Sequence, residues 1–330
     1  MQRRVLPPAA RPASPWSHRY ADYGYGATAD PGWRSIDWRT KLTTVEIDGT
    51  PVNYVDIGSG EREPVVFVHG LGGQWQNWLE NLPRVAHERR VLALDLPGFG
   101  LTPEPRDRIT IPGYGRFVDA FCERLDLGSA AVVGNSMGGY VAAEVAIQFP
   151  ARVSRLVLVS AAGISSAATV RAPILTAGRV AVAVATYSAA RHRQLAARPL
   201  SRHLSLAMAA RHPRLLKPDL AYEGFFKGMG KPGFDDALRA SLHYDFRERL
   251  PEVRVPTLIV WGEKDSIIPV RDADEFERLI PDSRKVVMRD TGHIPMAERP
   301  QAFNDLVMDF LAETGRAEEK EAVAGESQVA

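Results

Sequence analysis

Val132-Val133-Gly134-Asn135-Ser136-Met137-Gly138-Gly139 is the stretch on which the reading of this chain turns. A short apolar run, Ala130-Ala131-Val132-Val133, enters a Gly-x-Ser-x-Gly turn. Helix-forming residues from Tyr140 to Phe149 leave it and are stopped by Pro150. A serine hydroxyl is a poor nucleophile at neutral pH, so a chemical role requires it to be presented beside a base. A sharp strand-to-helix turn presents it, and needs small residues two before and two after the serine, where a Cβ would clash across the turn. Gly134 and Gly138 stand at those places. The turn also sets Ser136 at a helix N-terminus, whose unpaired N–H groups can hold a developing negative charge. The alternative is a glycine-rich turn without chemistry, and the strand before it and helix after it argue against that.

The same alternation extends outward. Thr43–Asp48 and Val52–Ile57 flank Gly49-Thr50 and read as a hairpin. Val65–Val68, Val91–Leu94, Ala131–Val133, Leu156–Val159, Thr257–Trp261 and Lys285–Met288 read as buried strands, with helical patterns at Trp75–His87, Pro112–Leu125, Met137–Phe149, Asp272–Leu279 and Gln301–Ala312. Two leading antiparallel strands followed by β–α units predict an α/β fold. Its sheet is mostly parallel and eight-stranded, with helices on both faces. Between Ser165 and Leu250 no strand pattern occurs. An all-helical cap (165–250) is therefore expected between two halves of the core (43–164 and 251–314). Within it Ile174–Ala190 is mostly apolar but interrupted by Arg179, too short and too charged for a membrane span. It reads as a packed lid helix, with a lipid-facing or acyl-lining helix as the alternative. Residues 1–42 predict a partly disordered arm that either binds a partner or wraps the domain, and 315–330 a disordered tail.

Charge and cysteine content exclude several classes. With 41 Lys+Arg against 40 Asp+Glu there is no electrostatic case for nucleic acid. Arg3-Arg4 is not followed by an apolar run of signal-peptide length, so a cytoplasmic protein without a transmembrane segment is expected. Cys122 is the only cysteine, so no intramolecular disulfide can form. It falls in a helical pattern and reads as a packing residue. No metal-ligand cluster stands out, and neither metal nor cofactor is expected.

A serine nucleophile needs a base, and the base a carboxylate that fixes its tautomer. His293, in Asp290-Thr291-Gly292-His293-Ile294-Pro295, follows the last predicted strand, at the sheet edge where such sites are built. The histidines at 18, 69, 87, 192, 203, 212 and 243 read as surface or packing residues, His69 as a structural loop residue rather than a second base. Asp265 follows the strand Thr257–Trp261. Its neighbour Glu263 competes for the role, but is expected to face solvent beside Lys264. The strand before the cap ends in Ser160-Ala161-Ala162-Gly163, with no acid in the other common place. The oxyanion donors are expected to be the backbone N–H groups of Met137 and of Leu71, in the loop His69-Gly70-Leu71-Gly72-Gly73, where glycines such as Gly70 let the backbone approach a substrate. Trp75 and Trp78 either line the entrance or pack the core.

With these marks the chain resembles the α/β-hydrolase superfamily from about residue 43 to 312. His69-Gly70, Asp95-Leu96-Pro97-Gly98-Phe99-Gly100, the Gly134–Gly139 elbow, Trp261-Gly262-Glu263-Lys264-Asp265 and Gly292-His293 with Pro295, Glu298 and Pro300 carry the likeness. It implies the triad Ser136, Asp265, His293, and structural turn-holding roles for Asp95 and Glu298. Serine rather than aspartate at the elbow argues against epoxide and carbon–halogen hydrolysis through an alkyl-enzyme ester. The resemblance implies a carboxylesterase or monoacylglycerol-lipase-like enzyme acting on small-molecule esters. Asn135 and Gly139 also resemble the carbon–carbon hydrolases of meta-cleavage products, which usually carry tryptophan where Ile294 stands here. Arg171, Arg179, Arg191 and Arg193 are the candidates for holding a dienoate carboxylate in that case. A cofactor-free haloperoxidase or perhydrolase would use the same triad. A non-catalytic binding protein on this fold would have a damaged one.

Overall fold

A computed structural model describes residues 24–26, 32–165 and 193–313. The apolar stretch Ile174–Ala190, the arginines 171, 179 and 191, and the tail 315–330 lie outside the described residues.

Eight strands form one sheet: β1 (Leu42–Ile47), β2 (Thr50–Ile57), β3 (Val65–Val68), β4 (Val91–Leu94), β5 (Ala130–Asn135), β6 (Val153–Val159), β7 (Thr257–Gly262) and β8 (Ser283–Met288). Their order is β1-β2-β4-β3-β5-β6-β7-β8. β1 and β2 pair antiparallel, as do β2 and β4; every later pairing is parallel. This is the mostly parallel eight-stranded sheet that the alternation predicts. Side chains alternate between the faces of a strand, so each buried strand feeds two cores. Val66 and Val68 join Leu92, Val132, Leu156 and Ile259 in one, whereas Val65 and Phe67 join Val91, Val133, Val157 and Val260 in the other.

The first core is covered by α3 (Ile111–Arg124) and α4 (Met137–Gln148) and by Phe276 of α8 (Arg271–Leu279); the second by α2 (Leu82–Ala86), α9 (Pro295–Glu298) and α10 (Pro300–Ala312). α3 begins as its sequence requires, with Thr110 accepting a hydrogen bond from Gly113 N–H and Pro112 in the first turn, where a missing N–H costs nothing. Cys122 is fully buried on α3, and burial pushes its thiol up to about 12, so it packs as an apolar group.

The helix expected over Trp75–His87 is broken into a 3-10 turn, Trp75–Trp78, and α2. Pro83 opens the second piece, where it cannot continue a preceding helix. Both tryptophans are core residues. Trp78 is fully buried between Phe67 and Phe303, and Trp75 packs against Trp38.

Between β6 and β7 the described residues form α5 (Arg193–Ala197), α6 (Pro199–Leu206), a turn at Pro218–Leu220 running into a π-helix (Ala221–Phe226), and α7 (Phe234–His243), with no strand among them. Leu206, Leu216 and Phe226 join the second core, whereas Ala237, Phe246 and Leu250 join the first. The segment therefore crosses from one face to the other. It crosses over the carboxyl edge of the sheet, because its bonds go to loops leaving that edge. Asn77 and Gln74, after β3, donate to Gly224 O and Glu223 O, and Gly233 N–H donates to Gly98 O after β4.

Of the N-terminal arm, α1 (Gly32–Ser35) and the turn at residues 24–26 lie against the domain, with Tyr25 and Trp33 buried in the second core. Trp33 Nε1 donates to Glu80, and Arg34 bridges Glu80 and Asp219, joining arm, core and helical segment. Among the described residues no helix is long and apolar enough to cross a membrane.

The β5–α4 turn has no spare room. A Cβ on Gly138 would lie 2.2 Å from Val68 O, and one on Gly134 would lie 2.1 Å from Gly138 O. Both obstacles are backbone and cannot rotate away. Gly138→Ala is expected to destabilise the protein by about 3 kcal/mol, measured by urea unfolding; a loss below about 0.5 kcal/mol would show that the turn is looser than this packing requires.

Candidate active site

Ser136 sits between β5 and α4 with φ 56° and ψ −118°, a left-handed conformation that a residue with a Cβ adopts only under constraint. The constraint is visible. Ser136 N–H donates to Val159 O at 2.9 Å, its carbonyl accepts from Ala162 and Tyr140 N–H, and the two flanking glycines allow the backbones to close. Met137 N–H opens α4, in the first turn whose N–H groups have no carbonyl partner within the helix.

The loop after β3 is pressed onto this turn. A Cβ on Gly70 would stand 3.2 Å from both Asn135 O and Ser136 Cβ. Leu71 follows, half-buried, at the crest of a turn closed by Gly73 N–H to Gly70 O. His69 holds the loop from inside. Its Nδ1 lies 2.7 Å from Gly70 O and its Nε2 accepts from Leu96 N–H at 3.0 Å. These partners assign the neutral tautomer with the proton on Nδ1, and full burial lowers its pKa from the usual 6.5. Both ring nitrogens are engaged, so His69 is structural, as its sequence context suggests. Asp95 fixes the next loop, accepting from Trp75 N–H, Leu101 N–H and Asn53 Nδ2.

His293 follows β8. Its Nδ1 lies 2.8 Å from Asp265 Oδ2, and both side chains are almost wholly buried. Asp265 spends its other oxygen on the N–H groups of Ile267 and Ile268, which orient the carboxylate. Glu263, the rival acid, points to the surface, where it meets Lys264 and accepts from Asp290 N–H. The backbone of His293 is tied to the elbow and to the helical segment. Its carbonyl accepts from Asn135 Nδ2 at 3.2 Å, and its N–H donates to Ala209 O at 2.7 Å.

The fold thus brings together the turn bearing Ser136 and Met137, the loop bearing Gly70 and Leu71, and the Asp265–His293 pair. They converge along the carboxyl edge of a parallel sheet, where open α/β folds bind ligands. Arg193, the one of the four candidate dienoate-holding arginines that lies among the described residues, is exposed with its guanidinium over the Tyr222 ring.

The structural role expected of Glu298 is the support of the His293 loop, but sequence reasoning missed the partners from the arm and the helical segment. Glu298 is fully buried, and its carboxylate accepts from Gly292 N–H, Ile294 N–H, Arg211 N–H and Tyr25 Oη. Burial raises its pKa while these four donors pull it back. Asp290, at φ 48°, accepts from Arg211 Nε and from His212 Nε2, the latter at 2.6 Å. Burial lowers the pKa of His212, so its Nε2–H donates as a neutral ring. The motif Gly292-His293 with Glu298 signals part of this arrangement. Nothing local signals Tyr25 or His212.

Known proteins share this architecture. Residues 63–300 match the family model for the alpha/beta hydrolase fold, and the chain belongs to that family. It is 32% identical over 279 residues to the 2-hydroxy-6-oxo-2,4-heptadienoate hydrolase of Pseudomonas putida, covering 80% of this chain and 94% of that one. It is 33% identical over 275 residues to the dihydrolipoyllysine-residue acetyltransferase component of the acetoin cleaving system of Pseudomonas putida, covering 81% and 68%. Among solved structures, a serine hydrolase involved in carbazole degradation superposes with a TM-score of 0.62 at 26% identity, over 82% of this chain and 98% of the other.

His69 and His212 are held neutral, so each takes up its proton at lower pH in the folded than in the unfolded chain. Their contribution to stability is complete above the usual histidine value and is lost as the pH falls below it, because the unfolded chain then binds protons first. Urea midpoints are expected to fall between about pH 7.5 and pH 5.5, and to fall less steeply in His212→Gln; equal slopes in both proteins would refute the assignment for His212.

Proposed function

We propose that this protein is a serine hydrolase that cleaves carboxylic esters of small to medium apolar acyl chains through an acyl-enzyme. The observation that carries the reading is the 2.8 Å pair of His293 Nδ1 with Asp265, on a loop bonded through its His293 carbonyl to Asn135 of the constrained serine elbow. Ser136 Oγ attacks the ester carbonyl carbon as His293 Nε2 takes its proton. Asp265 stabilises the imidazolium through the Nδ1–H bond. The tetrahedral oxyanion is held by the N–H groups of Leu71 and Met137, each worth on the order of 10² to 10³ in turnover. His293 gives its proton to the departing alcohol, and water attacks the acyl-enzyme with His293 again as base. The helical segment crossing the sheet edge acts as a cap, favouring compact esters over large aggregates.

A second reading has its own support. A 32% identical relative hydrolyses a dienoate, and Asn135 before the serine suits that group. In that case the bond broken is carbon–carbon, with the same residues. Ile294 after the histidine favours the ester.

p-Nitrophenyl esters from acetate to palmitate separate the two. Wild type is expected to show a short-to-medium chain optimum. Ser136→Ala is expected to lose at least about 10³-fold in kcat/KM, and Asp265→Asn about 10⁴-fold in kcat. A folded wild type inert to every ester, yet able to bleach a coloured ring-cleavage dienoate, would replace the first reading with the second.

A further inference from the structure

The arm residue Tyr25 lies far in sequence from every residue of the site, yet it reaches the structure that carries His293. Its hydroxyl donates to Glu298 Oε2 at 2.6 Å and accepts from His212 N–H at 2.9 Å. Gly26 N–H donates to Glu298 O, so the arm grips this residue by side chain and backbone alike. Glu298 in turn holds Gly292 N–H at 2.9 Å and Ile294 N–H at 3.3 Å, the amides on either side of His293. The Tyr25 ring stands edge-on to His212, 4.7 Å between centroids, and beneath the guanidinium of Arg299. Tyr25 is only 7% exposed, packed in the second core, and its hydroxyl adds specific polar contacts to that packing.

We infer that Tyr25 is a positioning residue for the candidate base: through Glu298 it sets the loop that holds His293 against Asp265 and the Ser136 elbow. The inference rests on the reading of His293 as the base. The charged and titratable groups around the Glu298 carboxylate are Tyr25 from the arm, Arg211 and His212 from the helical segment, Asp290 and His293 from the loop, and Arg299 on its own side. Burial and the neighbouring carboxylate keep the Tyr25 hydroxyl protonated, so it acts as a donor throughout the working range. That donor favours the Glu298 anion. Without it, Glu298 takes up a proton at higher pH and becomes a weaker acceptor for the two amides beside His293.

Tyr25→Phe keeps the ring and removes only the hydroxyl. Trp33→Phe is the control, since it removes a hydrogen bond from the same arm to a different buried carboxylate, Glu80. In the ester assay Tyr25→Phe is expected to lower kcat about tenfold with KM within about twofold. The acid limb of its kcat/KM profile is expected to move to higher pH. Trp33→Phe is expected to lose thermal stability without moving that limb. Amide exchange at Gly292, Ile294 and Arg211 is expected to quicken about tenfold in Tyr25→Phe alone. A Tyr25→Phe profile superimposable on wild type overturns the inference, as does an equal shift in Trp33→Phe. Full activity in Ser136→Ala would sink the serine reading instead. The exchange measurement needs no substrate, so unchanged exchange in Tyr25→Phe overturns the inference whatever the ester assay reads.

Discussion

A carboxylate with no access to water must be satisfied from within, because an isolated buried charge costs several kcal/mol. Glu298 is such a group, fully buried beside His293. Its four donors come from the arm, the helical segment and both sides of His293. No one of these segments can move without leaving either an orphaned donor or an under-solvated carboxylate. The geometry of His293 therefore depends on a contact it does not itself make. The loop is held in place by the cost of undoing Glu298, with the 2.8 Å bond to Asp265 as its outward result.

Strain is concentrated where this framework is stiffest. Three residues other than glycine adopt left-handed φ just after parallel-paired strands, Ser136 after β5, Ser160 after β6 and Asp290 after β8. Such conformations cost on the order of 1–3 kcal/mol each and persist only where the surroundings over-determine them. At β5 and β6, parallel strands buried on both faces supply that over-determination; at Asp290 the bonds to Arg211 and His212 do. β5, the most central of the three, is hydrogen-bonded on both sides and pinned by backbone contacts on Gly134 and Gly138.

The features legible in the sequence were those written in local pattern. Short apolar runs punctuated by glycine and proline announced the strands, and the period-two split of each strand into two cores followed from burial on both faces. The elbow was legible because the requirement for small residues at fixed offsets is itself local. The structure places Asp265 on His293 and Glu263 at the surface, the geometry that the length of the turn after β7 suggests. The single helix expected over Trp75–His87 failed at Pro83, whose significance the apolar spacing had masked. Tyr25, His212 and the crossing of the helical segment were not legible, because they exist only as pairings between distant parts of the chain. The Tyr25–Glu298 bond spans 273 residues, and no periodicity reports a partner at that distance.

That span has a consequence for how the protein comes into being. Chains emerge from the ribosome N-terminus first, at about 5–20 residues per second. Tyr25 is thus made 273 residues ahead of its acceptor. The elbow, the β3 loop and most of the sheet can assemble on the nascent chain while the seat for the arm does not yet exist, and closing so long a loop is among the slower steps in folding. The Ser136 elbow can therefore be in place well before the loop that carries His293 is locked against it.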